Sequence, residues 1–471
     1  MTLLHEFLDR AARSRPDSLA VGHGDTTLTY RELHQASRRI ATWLHRQGVR
    51  RGDRVVIVVP VDLLMPALLY GCSRAGAVFS VLNPQSPEVA ITHVVEDCEP
   101  VLVLRDLDEV RRAVADGDEE TVPGPIAVDP VCLVYTSGST GMPKAVVSTH
   151  AQVVFAARAI QSQLEYLPND TVFCALPLAF DYGLYQVFLS TLAGARLQLG
   201  SAADAGPQLV RHLRACGATV LPAVPAMAAG LARMLARPGT QPPALRLLTN
   251  TGAAMQPEVI ADLRHQILGL QVQLMFGLTE CKRAAIMPKD EDLRRPGACG
   301  KALPGTEILV VDPDGTPVPV GEVGEIVVRG PNVMSGYWRR PELTAQRFPR
   351  DEGLFPKLRT GDYGRLDSDG YLYFVGRRDD IYKEHGSRVS VTEVEAAAHR
   401  VPGVDAAAVL PPVSGQHGAT LFAVTSLSAE QVLALLRDQI EDAKAPRVCV
   451  VVTEIPLTPN GKVDRKRLQH A

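Results

Sequence analysis

The stretch Leu133-Val-Tyr-Thr-Ser-Gly-Ser-Thr-Gly-Met-Pro-Lys144 constrains this chain more than any other. The apolar run Val131–Val134 reads as a short buried strand. It empties into a loop of Thr136, Ser137, Gly138, Ser139, Thr140 and Gly141, with Lys144 behind a proline. Glycines let the backbone approach a ligand closely and turn its N–H groups toward one point. Hydroxyls add donors and the lysine adds a point charge, a combination that suits the phosphates of a nucleotide. It is not a Walker loop, because Met142 and Pro143 separate Gly141 from Lys144. A flexible Ser/Gly linker would need neither the strand before it nor the Pro-Lys after it.

At 471 residues the chain is too long for one ordinary core, so two or more domains are expected. A net charge of −3, with no basic run and no acidic tail, argues against bulk attraction to nucleic acid or a membrane surface. No apolar stretch approaches the ~18 residues that span a bilayer. The N-terminus reads as an amphipathic helix with Leu3, Leu4, Phe7, Leu8 and Ala11 on one face, not as a leader, so a cytoplasmic location is expected. The eight cysteines are scattered without a C-x-x-C pair and read as buried small hydrophobes. Neither a zinc site nor a catalytic thiol is expected.

Along the chain, Thr29 and Glu32 form a capping box before a helix that stops near Gly48. The run Arg54–Pro60 reads as a strand buried on both faces, Met65–Ala75 as a helix, Gly76–Leu82 as a second buried strand and residues 99–104 as a third. Such alternation implies a parallel sheet with crossover helices. After the Pro/Gly-rich connector 121–130 and the loop, Gln152–Tyr166 reads as a helix, and a second alternation fills about 170–290. From about 300 to 375 short strands and turns indicate a β-rich subdomain. A boundary is expected at Gly376–Asp380, followed by a small α+β unit.

The loop resembles the phosphate-loop signature of the adenylate-forming superfamily, which includes acyl-CoA synthetases, nonribosomal peptide synthetase adenylation domains and luciferases. Ala145 stands where that pattern has Gly. Further segments match in family order over the whole chain. Thr249–Ala254 resembles the adenine-lining segment, with Thr251, Gly252, Ala253 and Ala254 after a strand. Leu274–Glu280 resembles the aromatic-Gly-x-Thr-Glu motif. There Phe276 and Gly277 would meet adenine, Thr279 a phosphate oxygen, and Glu280 the metal, Mg²⁺ favouring one or two carboxylates plus phosphate. Asp362 would accept the ribose hydroxyls, and Arg377 would reach ribose or phosphate. Asp379 would be a hinge and Gly386 would let a pantetheine arm pass, while Lys462 would enter the active site for adenylation. The segments around Gly321–Val327 and Gly336–Thr344 also match, and read as structural. The fold implied is α/β: a large N-terminal domain, residues 1–378, of two stacked α/β subdomains plus a β-rich subdomain, and a small mobile α+β C-terminal domain, residues 379–471.

The resemblance implies an ATP-dependent acid–AMP ligase. The carboxylate attacks the α-phosphate, pyrophosphate leaves, and a thiol then takes the acyl group. Catalysis is mostly positioning and charge stabilisation. Lys462, Thr136, Glu280 and Lys144 are its candidate catalytic residues. In amino-acid-activating members an Asp after Phe binds the substrate amine, and Asp181 falls there. A buried carboxylate is costly unless paired, so an ammonium partner is a physical explanation. The other reading is a helix cap. Tyr182, Tyr185, Thr251, Met275 and Arg283 complete the expected acid site, a fairly polar one. Cys281-Lys282-Arg283 departs from peptide-synthetase sequences, and its two cations read equally as surface charges. The expected substrate is an amino acid or small polar acid, and the expected acceptor is the phosphopantetheine of a separate carrier protein, since no carrier domain fits in this length. The alternatives are an acyl- or aryl-CoA synthetase using free CoA, an amide-forming ligase, and an inactive binding homologue.

Overall fold

The computed structural model describes residues 2–137, 143–350, 355–377, 380–384, 387–412, 418–458 and 463–469. The chain divides into two compact units. The first comprises Met1–Pro296, Gly300–Ile308 and Val328–Arg359, the second Gly297–Cys299, Leu309–Val327 and Thr360–Ala471.

The first unit carries the two expected alternations. In one sheet the strands run in the order Gly336–Tyr337, Pro143–Thr149, Pro130–Ser137, Val78–Val81, Arg54–Ile57, Leu102–Leu104. Its strands Val78–Val81, Arg54–Ile57 and Leu102–Leu104 pair in parallel. In the other sheet Gln271–Phe276, Leu247–Asn250, Val220–Ala223, Thr171–Cys174, Arg196–Leu199 and Leu19–His23 are neighbours in that order, all parallel. Most helices between the strands bury their apolar faces in a core that runs from Leu4 to Leu303, while the helix Glu88–Cys98 packs Ile91, Val94 and Cys98 into a second cluster with Val56, Val78 and Leu133.

The start signals act as expected. Thr29 Oγ1 accepts from Glu32 N at 3.2 Å and Glu32 Oε2 accepts from Thr29 N at 2.7 Å, opening the helix Tyr30–Arg46. The helix Met65–Ala75 ends on Gly76, whose φ of 70° is left-handed. The strand read over Gly76–Leu82 is shorter, Val78–Val81, as is the one read over 99–104, Leu102–Leu104, and two other elements differ for a visible reason. The strand expected over Arg54–Pro60 stops at Ile57, because both its partners stop on that rung, at Val81 and Leu104. The helix expected from Gln152 opens at His150, because Thr149 is the N-cap and Gln152 closes a capping box on it; it ends at Leu164 before Glu165, whose φ is 51°.

The second unit holds the antiparallel pair Lys357–Leu366 and Leu372–Arg377 over residues 362–377. It also holds a three-stranded sheet, Val404–Leu410, Thr420–Thr425 and Val448–Val451, with the helices Val391–His399 and Ala429–Leu436 contributing to its apolar core. Ser390 Oγ and Thr392 Oγ1 both donate to Val375 O, at 2.6 and 2.9 Å, tying the start of the first of these helices to the strand Leu372–Arg377. The expected hinge, Asp379, lies outside the described residues. No helix among the described residues is long and apolar enough to cross a membrane. The architecture is α/β, with a large N-terminal domain and a smaller C-terminal one.

Candidate active site

The phosphate-loop stretch is the mouth of a β-hairpin. The strands Pro130–Ser137 and Pro143–Thr149 pair antiparallel, placing Thr136 opposite Lys144, and Thr136 Oγ1 donates to Lys144 O at 3.5 Å. Thr136 and Ser137, expected in the loop, therefore end a strand, because the residues behind the proline give them a partner. Gly138, Ser139, Thr140 and Gly141 lie outside the described residues. The Lys144 ammonium sits 4.1 Å from the centre of the Tyr337 ring.

Two further predicted nucleotide segments, Gly252 to Ala254 and Phe276 to Glu280, lie at the carboxyl ends of neighbouring parallel strands, where open α/β sheets bind ligands. Leu247–Asn250 leads into Thr251, which is buried, and into Gly252, Ala253 and Ala254, which are exposed. Gly252 has φ 92°. Gln271–Phe276 leads into Gly277, Thr279 and Glu280. This turn folds back on itself so closely that a Cβ on Gly277 would meet Lys282 O at 2.2 Å, which explains the glycine.

Glu280 is buried, and its Oε1 accepts the Tyr337 phenol O–H at 2.6 Å. Burial, and the Glu280 charge beside it, push the Tyr337 phenol well above its ordinary range. One hard carboxylate beside the phosphate-loop hairpin is a donor set that fits Mg²⁺ completing its shell with phosphate oxygens and water. Sequence reading took Tyr337 as structural. Its only signal was a phenol that needs a partner when buried, and the partner is remote in sequence.

Two of the expected acid-site residues form a buried ion pair. Asp181 opens the helix Asp181–Ala193, but Phe180 is its N-cap and no side chain caps it. Instead Asp181 Oδ2 lies 3.3 Å from Arg283 Nη1, and Thr279 Oγ1 donates to Oδ1 at 3.5 Å. Arg283 is also held over the Tyr182 ring, 4.8 Å from its centre. Tyr182 donates to Thr249 O at 2.8 Å, while Met275 is buried nearby in sequence on the strand Gln271–Phe276. Lys282 and Arg283 are not surface charges: they are 0% and 4% exposed. Among the described residues Lys282 Nζ has no hydrogen-bond partner, nor do Tyr185 Oη, Thr251 Oγ1 and Arg283 Nε. Lys282 Nζ stands 5.7 Å from the centre of the Tyr185 ring, and Tyr185 is one helical turn beyond Asp181. Sequence reading passed over Lys282, because a lysine is rarely buried unpaired. The adjacent Cys281 thiol is buried, and burial pushes it up to about 12.

In the second unit Asp362 and Arg377 face each other across the antiparallel pair, and Arg377 Nε lies 3.2 Å from Asp362 Oδ1. Asp362 is buried and Arg377 exposed, a carboxylate steadied by a cation that solvent or a ligand can reach. Its backbone is fixed by Thr360 Oγ1, which accepts from Asp362 N at 3.0 Å. Gly386 and Lys462 lie outside the described residues.

Known proteins resemble this chain in sequence and fold. The model of the AMP-binding enzyme family covers residues 8–338, and that of the AMP-binding enzyme C-terminal domain covers residues 393–462. The chain is 34% identical to a probable non-canonical nonribosomal peptide synthetase, CymA, of Salinispora arenicola (strain CNS-205), over 98% of this chain but 6% of that protein's length. It is 33% identical to a feruloyl-CoA synthase of Amycolatopsis sp over 96% of each. The solved complex of VinN with L-aspartate is 39% identical and superimposes with a TM-score of 0.73, over 79% of this chain and 98% of that one. With both family models matched in order along its length, the chain belongs to the AMP-binding enzymes and is an adenylate-forming ligase.

Proposed function

We propose that the protein adenylates a small amino acid carrying a second carboxylate and passes the acyl group to the phosphopantetheine thiol of a carrier protein. The observation that carries the substrate reading is Lys282 Nζ, wholly buried without a hydrogen-bond partner among the described residues and next in sequence to Arg283 of the buried Asp181–Arg283 pair. Arg283 is already paired with Asp181, and Lys282 adds a second buried cation next to it in sequence. A buried charge without a partner is costly, and a second substrate carboxylate would supply the missing anion. The substrate ammonium would share Asp181 with Arg283. The L-aspartate bound in the VinN complex is an acid of this class.

The step is an in-line displacement: a carboxylate oxygen bonds to the α-phosphorus, the bond to the β-phosphate oxygen breaks, and pyrophosphate leaves with both electrons. Lys462 would hold the attacking carboxylate, Lys144 the pyrophosphate end, and Thr136 and Thr279 would donate to phosphate oxygens. Asp362 and Arg377 would hold the ribose, with adenine against Phe276 and the small residues Gly252–Ala254. Glu280 would hold Mg²⁺, which when bound offsets charge on the transferring phosphates. Asp379 would serve as the hinge and Gly386 as the passage for the thiol arm. ATP–pyrophosphate exchange with amino diacids, simple amino acids and amine-free acids tests the reading. Exchange confined to monocarboxylic acids would overturn it.

A second reading, thioester formation on free CoA, is favoured by the feruloyl-CoA synthase match over nearly the full length of both chains. Mass analysis of the product with holo-carrier and CoA in competition separates the two acceptors.

A further inference from the structure

The strap between Asn332 and Trp338 ties together two parts of the site that are distant in sequence. Asn332 Nδ2 donates to Cys281 O and Arg283 O, at 3.2 and 3.0 Å, and Met334 N donates to Glu280 O at 2.9 Å. Gly336–Tyr337 then pairs with Val146–Val147 on the phosphate-loop hairpin, and Trp338 N donates to Ala145 O at 2.9 Å. Tyr337 stands where the two ties meet. Its hydroxyl donates to Glu280 at 2.6 Å, and its ring carries the Lys144 ammonium at 4.1 Å.

The residue is held rigidly. Its N–H donates to Thr344 Oγ1 at 2.9 Å, and its ring lies edge-on to Phe348, centroids 5.4 Å apart. Gly336 has φ 130°, and a Cβ there would meet Thr344 Cγ2 at 2.3 Å, so only glycine lets the strap approach the helix Pro341–Arg347 this closely. A phenol donating to a carboxylate in a dry site is a strong hydrogen bond, and an ammonium over a desolvated ring is attracted to its face. A phenylalanine would serve the ring contact alone, so the hydroxyl is there for Glu280.

We propose that Tyr337 is a positioning residue for the adenylation step: its hydroxyl orients the Glu280 carboxylate for Mg²⁺ while its ring sets where Lys144 stands relative to that carboxylate. The metal requirement of nucleotide binding then depends on one hydroxyl that touches neither metal nor substrate. This rests on Glu280 as the metal ligand.

The test uses nucleotide-induced thermal stabilisation of the full chain, which needs no turnover. Tyr337→Phe keeps the ring and removes the hydroxyl. The Mg²⁺ concentration giving half-maximal stabilisation by ATP should rise about tenfold or more, the usual effect of removing a partner behind a metal ligand. Stabilisation by AMP in EDTA should stay as in the wild type. Glu280→Gln should raise the Mg²⁺ requirement too, and adding Tyr337→Phe to it should raise it no further, because the hydroxyl acts on the metal only through that carboxylate. An unchanged Mg²⁺ requirement in Tyr337→Phe, an equal loss of AMP binding, or additivity in the double variant would each overturn the positioning role. If Glu280→Gln alone leaves the requirement unchanged, the metal-ligand assignment fails first and takes this proposal with it.

Discussion

Asp181 and Arg283 form an ion pair 3.3 Å long in which both side chains are 5% exposed. They come from the head of a helix and from the turn behind Glu280, so the pair fastens the expected acid pocket to the expected metal turn. Removing one partner of a buried pair leaves the other uncompensated, at a cost of about 3–5 kcal/mol. Asp181→Ala should therefore lower the thermal midpoint as well as activity. If Asp181 also anchors an amine, exchange with amine-bearing acids should vanish. If amine-free acids exchange normally in the variant, the residue is structural only.

Lys282→Met should separate stability from function. The variant replaces a buried, unpaired ammonium with an apolar chain of similar length, so the ligand-free protein should unfold at an equal or higher temperature. ATP–pyrophosphate exchange with amino diacids should fall by about 100-fold or more, as expected when a buried charged contact to substrate is lost. A lower melting temperature with unaltered exchange would mean that Lys282 serves the fold and not the acid.

Lys462→Ala should cut adenylation by orders of magnitude yet spare transfer from a supplied acyl-adenylate, since the lysine is assigned to the first step alone. Single-turnover measurements of the two half-reactions decide this. Equal loss in both would refute the division of labour between two conformations about Asp379.

Acid should weaken the fold at the base of the N-terminal helix. His150 is wholly buried and accepts from Leu4 N at 3.2 Å, and burial, with the neighbouring His5 charge, lowers it from 6.5 to about 4. His5 is lowered to about 4 by burial and by the Arg74 charge. With the folded values below the unfolded one, the unfolded chain binds more protons between about pH 6.5 and 4. Stability is thus full above that window and falls as pH drops through it. The share of His150 is on the order of 3 kcal/mol. Thermal unfolding from pH 7 to 4.5 should show the slope, and His150→Asn should flatten it; an unaltered slope would place the effect elsewhere.

The sequence by itself determined the two strand–helix alternations, the capping box at Thr29, and the nucleotide motifs in family order. Each is written in local spacing: apolar runs, hydroxyl–carboxylate pairs three residues apart, and glycines where the chain must turn. It also brought Asp181, Glu280 and Arg283 to notice by resemblance. Only the tertiary structure decided their partners. Strand Arg54–Ile57 ends where its neighbours end, Asp181 meets Arg283 rather than capping its helix, Lys282 is sealed inside, and Tyr337 closes on Glu280 and Lys144. The reason is range. Backbone preferences act over a few residues, whereas the charge and hydrogen-bond balance of a buried site depends on which distant segments the core packs together.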